Sequence, residues 1–176
     1  MLALKNKIRT VPNWPRTGVM FRDITTLLKN GEDFKQVLDL LTKRYQNFKI
    51  DKIVGIESRG FIIGAALADR LGVGFVPIRK KGKLPSLTLV EEYNLEYGKD
   101  AIEMHVDAIS PGEKVLVVDD LLATGGTSLA ACNLVKRVRG IVIECAFVVE
   151  LPDLNGSQKL SQAGLKIFSL IQFSGK

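Results

Sequence analysis

From Asp33 onward apolar residues recur at helical spacing, at Phe34, Val37, Leu38, Leu41, Tyr45 and Phe48. That spacing places them on one face and predicts an amphipathic helix over about residues 32–48. Lys52-Ile53-Val54-Gly55-Ile56 follows, a short apolar run without polar alternation, as in a strand buried on both faces. The chain then passes through Glu57-Ser58-Arg59-Gly60 into Phe61–Ala68, which reads as a second helix. Gly74–Ile78 reads as a second strand, Lys114–Val118 as a third, Ile141–Val149 as a fourth and Lys166–Leu170 as a short fifth. A further helix is predicted from about Thr127 to Arg139. Continuous apolar strands alternating with helices specify an α/β fold, a parallel sheet with helices on both faces. Two segments break the alternation. Residues 1–30 contain Pro12, Trp14, Pro15 and Gly18 and are expected to form a small N-terminal cap with Trp14 as its anchor. Residues 79–100, rich in Lys, Gly, Pro, Glu and Tyr, are expected to form a long flexible loop, with a hairpin as one form of it.

The length, 176 residues, suits one domain spanning 1–176, and 46% hydrophobic residues rule out a disordered or collagen-like chain. The longest apolar runs, such as Leu116–Val118 and Phe147–Val149, are far too short to span a bilayer. No apolar stretch follows Lys5, Lys7 and Arg9, so no signal peptide is readable. Cys132 and Cys145 sit in apolar segments without metal-ligand spacing. These features together read as a cytoplasmic protein with no membrane partner.

Net charge is +6, unevenly placed: residues 1–83 carry 17 Lys or Arg against 7 Asp or Glu, residues 84–176 carry 8 against 12. A basic half raises nucleic acid as a partner. The basic residues are scattered, however, except for Arg79-Lys80-Lys81 with Lys83, and no aromatics interleave with that cluster. A small, heavily phosphorylated ligand explains the same bias, and no nucleic-acid partner is expected. His105, the single histidine, reads as a partly exposed strand residue.

The richest chemistry lies in Val117-Val118-Asp119-Asp120-Leu121-Leu122-Ala123-Thr124-Gly125-Gly126-Thr127. A buried strand delivers two carboxylates at its carboxyl end, followed by a turn and a helix start. Gly125 and Gly126 let backbone N–H groups approach an anion, Thr124 and Thr127 add hydroxyl donors, and the helix N-terminus adds partial positive charge. That combination seats a monophosphate. Asp119 and Asp120 repel phosphate but accept hydrogen bonds from a vicinal diol. A phosphate cradle beside a diol bracket fits ribose 5-phosphate. Neither a P-loop nor a dinucleotide fingerprint is present here. The bland alternative is a strand–turn–helix in which an aspartate merely caps the helix.

The same stretch resembles the phosphoribosyl-pyrophosphate (PRPP) motif of type I phosphoribosyltransferases. Phe21-Arg22-Asp23-Ile24-Thr25, Glu57-Ser58-Arg59-Gly60-Phe61, and Arg79-Lys80-Lys81-Gly82-Lys83-Leu84-Pro85 leading to Leu95-Glu96-Tyr97-Gly98-Lys99 narrow the resemblance to the adenine-using branch of that family. Thr26 stands where proline is common. The resemblance implies transfer of the phosphoribosyl group from PRPP to adenine, giving AMP and pyrophosphate, with Mg²⁺ held mainly through PRPP and at most by Asp119 and Asp120. It assigns the 5′-phosphate to Ala123, Thr124, Gly125, Gly126 and Thr127 and the ribose diol to Asp119 and Asp120. Pyrophosphate falls to Ser58, Arg59, Arg79, Lys80 and Lys83, and adenine to Phe21, Arg22 and Leu151. It also implies a homodimer and makes Glu96 the proton-transfer residue; by itself Glu96 would read as an exposed loop acid. No lysine follows the fourth strand to donate to a 6-oxo purine, since the sequence there is Glu150-Leu151-Pro152. A 6-oxo-purine transferase and a PRPP-sensing regulatory protein are the competing readings.

Overall fold

Seven strands form the main sheet of the computed structural model, which describes residues 2–95 and 98–175. In chain order the elements are α1 (Leu2–Lys5), β1 (Arg9–Pro12), β2 (Met20–Asp23), α2 (Thr25–Leu28), α3 (Gly31–Tyr45), β3 (Lys52–Ile56), α4 (Arg59–Leu71) and β4 (Gly74–Lys80). They continue as β5 (Thr88–Leu95), β6 (Gly98–His105), β7 (Lys114–Leu122), α5 (Gly126–Arg137), β8 (Ile141–Glu150), a 3₁₀ turn (Pro152–Leu154), α6 (Gly156–Gln162) and β9 (Ile167–Gln172). The sheet order is β5-β6-β4-β3-β7-β8-β9. The run from β4 to β9 is parallel throughout, whereas β6 pairs antiparallel with both β4 and β5.

Side-chain alternation divides the core into two layers. Ile53, Leu116, Val118 and Ala146 face Val37, Leu38 and Leu41 of α3 and Ile63 and Leu67 of α4. Val54, Val115, Val117 and Cys145 face Ala131, Leu134 and Val135 of α5 and Leu160 of α6. Each such fully buried aliphatic side chain contributes roughly 1.5–3 kcal/mol, so neither layer needs a disulfide or metal.

The expected boundaries differ where local chemistry outweighs hydrophobic spacing. Helix α3 begins at Gly31 because the Asn30 side chain accepts from the N–H groups of Glu32 and Asp33 at 3.0 and 3.1 Å. It ends at Tyr45, leaving Phe48 half-exposed and edge-on to the Tyr45 ring. Helix α4 stops at Gly72, which adopts the left-handed conformation at φ +66°. Strand β7 runs past both aspartates to Leu122, because Asp119, Leu121 and Leu122 stay in register with Phe147, Val149 and Glu150. The 79–100 segment is largely a β5–β6 hairpin that reaches to His105 and joins the main sheet. Ile102 and Met104 are buried there, which fixes the register. The His105 ring, partly exposed, bonds to the Pro85 carbonyl.

Strands β1 and β2 pair as a separate two-stranded ribbon within the first 30 residues. The Thr26 hydroxyl donates to the Lys7 carbonyl at 2.7 Å and accepts from the Arg9 N–H at 3.1 Å, tying the ribbon to α2. Trp14 does not anchor this segment from within. Its ring stands 51% exposed and meets Phe21 edge-on at 4.4 Å. Among the described residues, no helix is long and apolar enough to cross a membrane.

Candidate active site

The parallel strands in spatial order are β4-β3-β7-β8-β9, so the chain order reverses between β3 and β7. Loops leaving the carboxyl ends of two such strands diverge to opposite faces and open a crevice between them. The loop after β3 carries Ser58 and Arg59, and the end of β7 carries Asp119, Asp120 and the 123–127 turn.

Gly60 sets how closely the two approach. A Cβ there would lie 2.8 Å from Asp119 Oδ1 and 2.9 Å from the Val118 carbonyl, so only glycine lets the first turn of α4 rest on the end of β7. By strand alternation Asp120 shares the α4 face of β7 with Leu116 and Val118. There its carboxylate accepts from Arg59 Nε at 2.5 Å. The Arg59 guanidinium also lies over the Phe21 ring, 5.8 Å from its centroid, which brings the N-terminal ribbon to the crevice. Asp119 Oδ1 accepts from the Asp120 N–H at 2.8 Å. Burial, followed by repulsion from the Asp120 carboxylate, pushes the Asp119 carboxyl well above the ordinary range.

The turn 123–126 is built against the start of α6. A Cβ on Gly156 would lie 2.2 Å from the Ala123 carbonyl, and one on Gly125, at φ +76°, would lie 2.9 Å from the Gly156 carbonyl. The two backbones therefore touch, and the turn is held from behind where it leads into α5.

At the end of β4, Glu57 gathers the basic cluster. Its carboxylate accepts from the Lys80 N–H at 2.9 Å, Lys83 Nζ at 3.0 Å and Arg79 Nε at 3.3 Å. Burial opposes its charge, but these donors outweigh burial and hold its carboxyl below the usual value. Lys80 Nζ pairs with Asp100 at 3.4 Å. The arrangement has a direction: Glu57 and Asp120 are 12% and 5% exposed, while Lys83, Lys80 and Arg59 are 51%, 60% and 40% exposed. Carboxylates pin the cations from the protein side and leave their remaining donors facing solvent. The Glu57–Ser58 peptide is cis. The Ser58 hydroxyl takes no part in capping α4.

The base-side residues are less gathered. The Arg22 side chain turns away, donating to Thr10 Oγ1 and the Ser174 carbonyl and stacking on Phe173 at 4.6 Å. Leu151 is buried at the end of β8, its N–H bonded to the Leu122 carbonyl at 2.9 Å. Glu96 lies outside the described residues.

Sequence reasoning passed over three positions that shape the site. Glu57 was read as part of a matching segment without a task, and Gly156 gave no local signal because its partner is 33 residues away. The third is Glu103, whose Oε1 accepts from the N–H groups of Lys83 and Leu84, both at 2.8 Å, and so folds the basic turn. Its one signal was a lone acid between Ile102 and Met104 in a strand.

Comparison with known proteins accords with this geometry. The family described as "Phosphoribosyl transferase domain" matches residues 23–174. The adenine phosphoribosyltransferase of Methylobacillus flagellatus is 59% identical over 172 residues, covering 98% of each chain. The adenine phosphoribosyltransferase structure from Thermoanaerobacter pseudethanolicus superposes with a TM-score of 0.94 at 49% identity, covering 98% of this chain and 99% of that one. The Saccharomyces cerevisiae enzyme, complexed with an imino-altritol bisphosphate and adenine, gives 0.89 at 40% identity over 97% of both. The sheet order, the crevice at its switch point and these full-length matches agree: the chain belongs to the adenine phosphoribosyltransferase family.

Proposed function

We propose that this chain transfers the 5-phosphoribosyl group of PRPP to adenine, giving AMP and pyrophosphate in purine salvage. The observation that carries the reading is the pairing of Asp119 and Asp120 with the 123–127 turn across the crevice from Arg59. The relatives' names and the adenine in the yeast complex supply the base.

In this reading Ala123, Thr124, Gly125, Gly126 and Thr127 hold the 5′-phosphate, and Asp119 and Asp120 accept the ribose hydroxyls. Breaking the C1–pyrophosphate bond builds positive charge on the sugar and negative charge on the leaving group. Preorganised charges aimed at both are the main catalytic resource for such a step. Asp119 and Asp120 lie on the sugar side. Ser58, Arg59, Arg79, Lys80 and Lys83 take the pyrophosphate, the cations held ready by Glu57, Asp100 and Asp120. Phe21 and Leu151 flank adenine, and with the Arg22 side chain engaged elsewhere, only its backbone serves the base. Glu96 exchanges the proton at the purine.

Among the described residues no group of three or more His, Cys, Asp or Glu could hold a metal. Two adjacent carboxylates fit Mg²⁺, which binds through one or two protein carboxylates plus substrate oxygens. Asp119 and Asp120 would hold it with PRPP, and bound there it supplies charge neutralisation for the leaving pyrophosphate. The free buried thiols of Cys132 and Cys145 suit a reducing cytoplasm. A homodimer follows from the family resemblance. Leu87 and Val106, exposed side by side at the base of the hairpin, give it apolar surface.

The test is AMP formation from adenine, PRPP and Mg²⁺ by the wild type and the Asp119→Asn/Asp120→Asn double variant. Turnover should fall at least about 100-fold in the variant, as when transition-state electrostatics are removed. Undiminished activity in the double variant would place the PRPP site elsewhere.

A further inference from the structure

Strand β5 lies along helix α5 in a register that its side chains fix. Glu91 Oε1 accepts from Asn133 Nδ2 at 2.9 Å, and its Oε2 accepts from Arg137 Nη1 at 3.2 Å. Arg137 Nη1 also donates to the Val90 carbonyl at 2.6 Å. Asn133 and Arg137 are four residues apart and so share one face of the helix. Further along, a Cβ on Gly126 would lie 3.3 Å from the Asn94 carbonyl and 3.5 Å from the Tyr93 ring. The spans agree. From Glu91 to Asn94 a strand advances about 10 Å. From Asn133 back to Gly126 a helix advances about 10.5 Å. Strand β5 therefore runs toward the N-terminus of α5 and ends at the turn that follows β7.

Beyond Glu91 this strand connects to the basic cluster. The Tyr93 hydroxyl donates to Asp100 at 3.3 Å, and Asp100 pairs with Lys80. The apolar part of the contact is modest: Leu89, Tyr93 and Leu129 are only partly buried. Glu91 is the acid that joins the two elements, and its carboxylate is 23% exposed.

We propose that Glu91 is a positioning residue: by bridging Asn133 and Arg137 it sets the register of β5 on α5, and with it the placement of Tyr93 and Asp100 beside the 123–127 turn and Lys80. This deepens the reading of that turn and of Lys80 as PRPP contacts, and rests on it. Glu91 itself touches no substrate.

The experiment compares wild type, Glu91→Ala, Glu91→Gln and the exchange Glu91→Arg/Arg137→Glu. Glu91→Ala should raise the PRPP KM about tenfold and lower kcat, with the adenine KM and the melting temperature unchanged. Glu91→Gln, which keeps the Asn133 bond, should fall between wild type and Glu91→Ala. The exchange should recover at least half of the PRPP KM effect. Amide hydrogen exchange of Glu91–Leu95 in the free protein should quicken in Glu91→Ala, with β3 and β7 unaltered. That arm needs no turnover, so a catalytically silent wild type would defeat the functional reading while still testing the docking. Wild-type kinetics with wild-type exchange in Glu91→Ala would overturn the proposal. So would equal rises in both KM values, or a variant that simply melts lower with kinetics unchanged. If Glu91→Ala fails to fold, Arg137→Gln carries the same expected PRPP KM split, and its absence overturns the proposal.

Discussion

Asp119 and Asp120 are neighbours in one strand, yet their surroundings separate them. Asp120 faces Arg59, while Asp119 is pushed up by burial and by Asp120 itself. An acid whose folded pKa lies above its ordinary value of 3.8 costs stability once the pH exceeds that value. The cost grows as the pH climbs toward the folded pKa and is absent below the ordinary range. Asn keeps the acceptor for the Asp120 N–H and removes the charge. Asp119→Asn is therefore expected to melt higher than wild type at pH 8. Near pH 3, below the ordinary value, the two should melt together, and AMP formation should fall at least tenfold throughout. Thermal melts at the two pH values, beside an activity assay, check this. Glu103 gives the opposite case. Its burial disfavours charge, but the N–H groups of Leu84, Gly82 and Lys83 more than offset that and hold its carboxyl below the usual value. Removing it leaves those N–H groups without their acceptor, at about 1–3 kcal/mol each where burial persists. Glu103→Ala should therefore lower both melting temperature and PRPP affinity, whereas unchanged values in a melt and a titration would remove Glu103 from the site's framework. The two aspartates were legible in the sequence because paired acids ahead of a Thr-Gly-Gly-Thr turn form a local pattern. Glu103 was not, because its partners lie about 20 residues back along the chain.

At the scale of elements, the buried parallel strands were readable because each is a continuous apolar run. Boundaries escaped wherever a partner strand or a cap decided them: β7 continues because β8 does, and α3 starts where Asn30 caps it. The β1–β2 ribbon and α6 escaped altogether, having little apolar period of their own. Helix α6 matters through one glycine. Gly156→Ala would drive a methyl into the Ala123 carbonyl and displace the 123–126 turn. PRPP affinity should weaken by roughly tenfold or more, as displacements of about 1 Å in positioning groups do, with less effect on adenine. Isothermal titration of each substrate measures that difference. Asp23 ties the ribbon internally, accepting from Arg9 of β1 and from Thr25 at the start of α2. The Thr25 hydroxyl first, then Arg9, hold its carboxyl at about 2, down from 3.8. A depressed folded pKa gives stability that is complete above the unfolded value and lost as the pH falls through the folded one. The ribbon's internal tie and its junction with α2 should therefore persist to pH 4 and weaken between about 4 and 2. Trp14, the single tryptophan, sits against Phe21 and reports it by fluorescence. Asp23→Asn should show at pH 6 the emission that wild type reaches only on acidification.

For the whole molecule, the decisive feature is the reversal of strand order between β3 and β7, which sequence alternation implied only in general terms. It puts three loops, far apart in the sequence, at the carboxyl ends of adjacent strands. The uneven charge of the chain resolves there as well. Arg59, Arg79, Lys80 and Lys83 are set against Asp120, Glu57 and Asp100 and keep donors facing solvent. Base choice is the least legible property, since Arg22 and Leu151 lie on separate elements and the Arg22 side chain is engaged by Thr10 and Ser174. The most direct measurement is therefore pyrophosphate release with PRPP and Mg²⁺, run in parallel with adenine, hypoxanthine, guanine and xanthine. Release with adenine alone, matched mole for mole by AMP, is the expected result. Release with a 6-oxo purine instead, or PRPP binding without release for any of the four, would contradict the assignment.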